Sequence, residues 1–276
     1  MCFWYHDVAQ AAVQAHPVMQ AFIDTAIAAA QAASNPIMQR YRGGFEVEIK
    51  ADASPVTIAD REAETVIRKV LIEAFPDHGI YGEEFGTDQP DAEYLWLVDP
   101  IDGTKSFVRG TGMFSTQIAL MHEGRIVLGV SSAPAHGELA WAARDRGAWL
   151  NGERLQIAAT SALADTHLSL GNMNTLARDR DAWLALGELI PRVNRLRGYG
   201  DYYHYHCLAA GQLDAVIESD VNILDIAALS VLVEEAGGRF TDLQGRALDL
   251  ETTSVLAATQ ALHPQLLASL HPAEMS

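Results

Sequence analysis

Apolar residues recur along this chain at two spacings, and the spacings divide it into segments. Residues 7–34 are rich in Ala, Gln, Ile and Val and predict one long helix. Asn35-Pro36 is expected to break or kink it, because proline lacks a donor and restricts the residue before it. Alternation around Phe45, Val47 and Ile49 predicts a strand or hairpin. Beyond it, Ile58, Val66, Ile67, Val70, Leu71 and Ala74 fall near helical spacing, and Phe75-Pro76 closes that helix. Short strands are expected at 79–82 and 94–98. Residues 113–149 read as an antiparallel meander with turns at Gly124, Gly137 and Gly152.

The rhythm then changes. THLSLGN, NRLRGYG, LDAVIES, RFTDL and SVLAAT read as strands. DRDAWLALGELI, YYHYHCLAAGQ and DIAALSVLVEEAGG read as helices, the last closed by Gly237 and Gly238. The alternation predicts an α/β (α+β type) layered sandwich of helices and sheets, with a first lobe at 1–150 and a second at 151–276.

Composition narrows the function. The 276 residues carry a net charge of −17. That charge disfavours nucleic acid and anionic membranes, and it suits cations. No apolar run is long enough to span a bilayer, and MCFWYHDVAQ lacks the basic and apolar regions of a signal peptide. Two distant cysteines, Cys2 and Cys207, make no disulfide framework, so a cytoplasmic location is expected. GxxxxGK[ST] and GxSxG motifs are both absent, which removes support for P-loop and serine-hydrolase chemistry.

The chemistry-bearing positions are carboxylates at the ends of elements. Glu83 and Glu84 follow one strand in YGEEFG, and Asp99 and Asp102 follow another in LVDPIDGT. Asp60 lies in the first turn of a helix, and Asp225 heads another. Each has an ordinary explanation as a turn, cap or surface acid. As a set they suit hard cations that bind through carboxylates and substrate phosphate. Two such ions roughly 3.5–4 Å apart can clamp a displacement at phosphorus. Pro100 restrains the turn, Gly103 allows close backbone approach, and a helix starting at Thr104 would aim N–H groups at an anion.

With these motifs in order, the chain resembles the inositol monophosphatase family of Mg²⁺-dependent, lithium-sensitive phosphatases. LVDPIDGT, the YGEE and SPVTIAD before it and LDIAAL after it carry the resemblance, over about residues 50–245. It implies an inositol monophosphatase-like fold, two or three Mg²⁺ ions with Mn²⁺ as an alternative, and a homodimer. It implies that Glu83, Asp99 and the Ile101 carbonyl hold a first metal, and that Asp99, Asp102 and Asp225 hold a second. Glu83 would also face a third ion, with Glu84 beside it. Thr104 and Asp60 would orient the attacking water, Gly103 and Thr104 N–H groups would hold phosphate oxygens, and Lys50 would sit on a mobile loop over the site. The metal-activated water would attack phosphorus directly, with no covalent enzyme intermediate.

Departures from the family pattern point to the substrate. Around Asp225 the family's Pro-Trp-Asp-x-Ala-Ala-Gly is replaced by ILDIAAL. Glu218 matches the acid that contacts a substrate hydroxyl. In RGYGDYYHY, Asp201 stands where small residues are usual in inositol-specific members. Two acids would then face the leaving group, which is costly against a neutral polyol and favourable against an ammonium and an imidazole. This pattern is most similar to the histidinol-phosphate phosphatase branch, so the expected substrate is histidinol phosphate, a small-molecule phosphate monoester. The alternative for Asp201 is a helix cap. The alternatives for the chain are an inositol or sugar monophosphatase, a nucleotide 3′-phosphatase, and a non-catalytic RNA-machinery accessory protein. His204 and His206, two apart on a predicted helix, point to different faces and make a poor metal pair. No histidine is assigned to catalysis, and Tyr202, Tyr203 and Tyr205 are expected to pack.

Overall fold

A strand that is apolar on both faces must be covered on both. Residues 94–102 form such a strand, with Leu95 and Leu97 packing to one side and Trp96 and Val98 to the other. The computed structural model describes the backbone of residues 3–43, 47–49 and 55–271 and the side chains of residues 17–41 and 58–271. Lys50 and Phe45 lie outside the described residues.

The chain begins with α1 (Phe3–Gly43), a hairpin of β1 (Val47–Ile49) and β2 (Pro55–Thr57), and α2 (Ile58–Ala74). Then come β3 (Gly79–Gly82), β4 (Gly86–Asp88), β5 (Tyr94–Asp102) and α3 (Thr104–Val108). The meander is β6 (Ser115–His122), β7 (Arg125–Ala133), β8 (Glu138–Ala143), β9 (Gly147–Leu150) and β10 (Glu153–Arg154). The second half contains β11 (His167–Gly171), α4 (Met173–Leu176), α5 (Arg180–Leu189), β12 (Arg195–Arg197), α6 (Asp201–Ala209) and β13 (Ala215–Ser219). It closes with α7 (Ile223–Glu235), β14 (Gly238–Thr241), β15 (Ser254–Thr259) and α8 (His263–Leu270).

The large sheet has the order β10-β9-β8-β7-β6-β5-β3-β4 and is antiparallel except between β3 and β5. The smaller sheet has the order β12-β11-β13-β15-β14, with β12, β11 and β13 parallel. One face of the large sheet packs on α1 and α2. Its other face shares a core with α6, α7 and one face of the small sheet. The remaining face of the small sheet is covered by α5 and α8. The result is the layered α/β sandwich that the alternating pattern predicts.

Three local features depart from expectation. The helix α1 runs unbroken through Pro36. Its buried stripe of Ala26, Ala29, Ala30, Ala33 and Ile37 lies on both sides of the proline and packs with Ala63, Ile67 and Leu71 of α2. This continuous packing outweighs the local signal. Next, β5 does not stop at Val98. Asp99 pairs with Gln117 and Asp102 with Ser115, so one extra residue is bulged into β5. Finally, α8 follows β15 where no helix is expected, since its eight residues give too short a periodic run.

Helix α7 is buried nearly all round, as a helix between two sheets must be. It lies so close to β7 that a Cβ at Gly129 would fall 2.3 Å from the Ala228 carbonyl oxygen. Gly129→Ala is therefore expected to cost about 1–3 kcal/mol in urea unfolding, by overpacking this contact. A second test concerns His263, at the start of α8. Burial, followed by the charge of Arg239, pushes it down to about 4. Between about pH 6.5 and 4 the unfolded chain binds this proton and the folded chain does not, so stability falls as pH drops through that window. Wild-type protein should lose more stability than His263→Gln between pH 7.5 and 5, measured by urea unfolding at each pH.

Candidate active site

The carboxylates meet because four elements end at one place. The bulge in β5 turns Asp99 and Asp102 toward the same side, and it is held by local bonds. The Ile101 N–H donates to Asp99 Oδ1 at 2.9 Å, and the Thr116 hydroxyl donates to the Pro100 carbonyl at 2.8 Å. Gly103 follows with φ +84, a left-handed conformation, and a Cβ there would lie 2.6 Å from the Met113 carbonyl oxygen. Both facts favour glycine at this position. α3 then starts at Thr104, whose hydroxyl donates to the Ile101 carbonyl at 3.0 Å.

Asp225 arrives from the N-terminal end of α7. Asn222 donates to it twice, through its backbone N–H at 2.9 Å and its side-chain amide at 2.7 Å. The capping explanation of Asp225 is thus realised together with its place in the site. Carboxylate oxygens of Asp99, Asp102 and Asp225 all lie within 4.8 Å of one another.

The electrostatics of this trio are those of crowded acids. Asp99 is 3% exposed. Burial pushes its carboxyl well above the usual range, and the charges of Glu83, Asp225, Asp102 and Asp60 add to the effect. Asp102 is raised by burial and by Asp225, Asp201 and Glu218. Asp225 is pushed up to about 7, again chiefly by burial. Three hard oxygen donors converging at this spacing, with negative charge left uncompensated, fit a divalent cation. Glu83, after β3, and Asp60, fully buried in the first turn of α2, surround the trio at longer range. Glu84 is half-buried, and its N–H is held by Glu64 Oε2 at 2.7 Å.

Asp201 and Glu218 lie on the α6 side of Asp102. Asp201 does not cap α6 through its side chain. Gly200 is the residue before it, with no side chain to cap with, and among the described residues no α6 N–H donates to Asp201. Asp201 Oδ2 instead lies 3.5 Å from Ser106 Oγ, and burial, then Glu218, pushes the acid up to about 6. Glu218 is nearly buried. Its Oε2 accepts the Tyr205 hydroxyl at 2.6 Å and lies 3.1 Å from His204 Nε2.

The sequence reading missed most of the residues that support these acids. Asn222 was legible as an N-x-x-D cap ahead of Asp225. His204 and His206 turn to different partners, Glu218 and Glu138, as their spacing implies, yet His204 reaches a site acid. Tyr205 is more than packing for the same reason. Ser115 and Gln117 also were not anticipated. The Ser115 hydroxyl donates to Asp102 Oδ2 at 3.3 Å, and the Gln117 amide donates to Ser115 Oγ at 2.8 Å. Their link to Asp102 exists only through pairing of β5 with β6.

Comparison with known proteins agrees with this geometry. Residues 18–275 match the model of the inositol monophosphatase family. A histidinol-phosphatase of Mycobacterium tuberculosis is 39% identical over 82% of this chain and 88% of its own length. An inositol-1-monophosphatase of Mesorhizobium japonicum is 34% identical over 82% of this chain and 86% of its own. Among solved structures, the extragenic suppressor protein suhB of Bartonella henselae is 30% identical. It superposes with a TM-score of 0.82 over 91% of this chain and 98% of its own. No helix among the described residues is long and apolar enough to cross a membrane. With the match spanning both sheets and the whole acidic cluster, the chain belongs to the inositol monophosphatase family and is a phosphomonoesterase.

Proposed function

We propose that this phosphomonoesterase depends on Mg²⁺ and hydrolyses histidinol phosphate to histidinol and inorganic phosphate. One observation carries the choice of substrate. Asp201 is a second, largely buried carboxylate beside Glu218, and its side chain caps no helix. Two adjacent acids repel each other in a low-dielectric site unless a partner brings positive charge or N–H donors. The ammonium and imidazole groups of histidinol supply both. A neutral polyol supplies only hydroxyls. The histidinol-phosphatase relative supports the same choice.

In this reading Glu83, Asp99, Asp102, Asp225 and the Ile101 carbonyl hold the metal, with Mn²⁺ accepted by the same oxygen donors. When bound, the ions would supply Lewis-acid stabilisation at phosphorus and, by lowering the pKa of water, a nucleophile to attack it. Thr104 orients that water. Its hydroxyl hydrogen goes to the Ile101 carbonyl, so its oxygen is free to accept. Asp60 helps Thr104 orient the water, and Glu84 acts beside Glu83. Gly103 and Thr104 N–H groups bind the phosphate oxygens. Asp201 and Glu218 accept hydrogen bonds from the leaving group, and Lys50 belongs to the loop over the site. A broader monophosphatase activity is the second reading, favoured by the inositol-1-monophosphatase relative.

Phosphate release measured side by side on histidinol phosphate, inositol 1-phosphate and adenosine 3′,5′-bisphosphate tests the proposal. Histidinol phosphate should be strongly preferred; equal rates on the first two would favour the second reading. Asp201→Ala should lower kcat/KM for histidinol phosphate about 10- to 100-fold, the worth of one charged hydrogen bond, and barely affect inositol 1-phosphate. Asp99→Asn should abolish turnover, and a chelator should do the same to the wild type until Mg²⁺ is restored.

A further inference from the structure

Helix α2 carries three charged residues at the spacing of one face: Asp60, Glu64 and Arg68. Asp60 belongs to the acid site. Glu64 and Arg68, one and two turns further on, reach instead the turn between β3 and β4, which begins with Glu83.

The contacts are specific. Glu64 is fully buried. Its Oε2 accepts the Glu84 N–H at 2.7 Å, and its Oε1 accepts Arg68 Nε at 2.7 Å and the Phe85 N–H at 3.3 Å. The Arg68 guanidinium bonds to Asp88 Oδ2 at 2.5 Å and donates to the Gly86 carbonyl. It also lies 5.9 Å from the centre of the Phe85 ring. Two side chains of α2 therefore bind residues 84, 85, 86 and 88. Space for this pair is made at Gly82, where a Cβ would fall 2.0 Å from Glu64 Oε1. The Glu83 N–H is tied to the Val98 carbonyl at 3.1 Å, so the turn is pinned to β5 on one side and to α2 on the other.

Stability alone does not call for a charged pair here. A well-packed apolar pair often stabilises as much as a buried ion pair or more. An apolar pair would, however, leave the Glu84 and Phe85 N–H groups without these acceptors, and the turn without a defined position.

We propose that Glu64 and Arg68 are positioning residues for the metal site. They fix the turn so that the Glu83 carboxylate is held where its charge bears on Asp99 and Asp225. The inference rests on the reading of Glu83 as a metal ligand. It assigns Glu64 and Arg68 an effect on metal affinity that is separate from their effect on folding.

The test is Mg²⁺ binding to the metal-free full chain by titration calorimetry, with urea unfolding of each variant in chelator. Glu64→Gln keeps the shape and removes the charge. It should weaken Mg²⁺ binding about 10- to 100-fold, the range for groups that orient a metal ligand. At saturating Mg²⁺, turnover should largely recover. Arg68→Lys keeps the charge but loses the forked contacts, and should also weaken binding. Asp88→Asn, on the exposed end of the pair, should do so less. Glu83→Gln runs alongside. If Glu83→Gln weakens Mg²⁺ binding while folded Glu64→Gln and Arg68→Lys bind as the wild type does, the clamp is overturned. If Glu83→Gln binds normally, the reading of Glu83 fails and removes the ground for the clamp. Should Glu64→Gln not fold, Arg68→Lys and Asp88→Asn decide the matter by the same readout.

Discussion

Mutual repulsion among crowded carboxylates is the constraint around which this protein is arranged. Asp99, Asp102 and Asp225 are held close together, and Glu83, Asp60, Asp201 and Glu218 add further negative charge nearby. Left alone, such groups would separate, take up protons or draw in water. They stay together because each is attached to an element whose position is decided elsewhere. A cluster that could hold a metal ion is thus kept crowded by the packing around it.

Each attachment has its own physical origin. Strand β5 is covered on both faces, so its end cannot move without disturbing two cores. Its bulge places two acids on one side where regular pleating would alternate them. Helix α7 lies between the two sheets, in near contact with the backbone of β7, and delivers Asp225 with Asn222 as its support. Helix α2 contributes Asp60 at its start and grips the Glu83 turn through Glu64 and Arg68. The two halves of the chain therefore supply different carboxylates to one cluster and share the core beneath it.

Around Asp201 and Glu218 the support comes from other side chains. Tyr205 and His204 hold one oxygen of Glu218, and His204 Nδ1 lies 3.3 Å from Ser169 Oγ on β11. Ser169 in turn accepts the Tyr199 N–H at 3.2 Å. A chain of bonds thus joins the parallel part of the small sheet to Glu218. Among the described residues, Asp201 has a long hydrogen bond to Ser106 and the charges of His204 and Lys105 nearby. Of the two acids it has the weaker hydrogen bonding from the protein.

Much of this was written locally in the chain. The alternating runs gave the strands of the meander, and the helical spacing gave α2, α5, α6 and α7. The layered class follows from their order. LVDPIDGT, YGEE and LDIAAL by themselves identified the acids and the family, because a turn rich in carboxylates, proline and glycine is a short-range pattern. Other features depended on contacts between distant residues. Pro36 remained inside α1 because the packing on α2 continues past it. The β5 bulge appeared only through pairing with β6, and with it the roles of Ser115 and Gln117. Glu64, Arg68, His204 and Tyr205 looked like ordinary helix residues in the sequence. Sequence spacing records which residues share an element. The partners of a buried polar side chain are set by how elements pack, and that was decided only when α2 met the β3–β4 turn and α6 met β13.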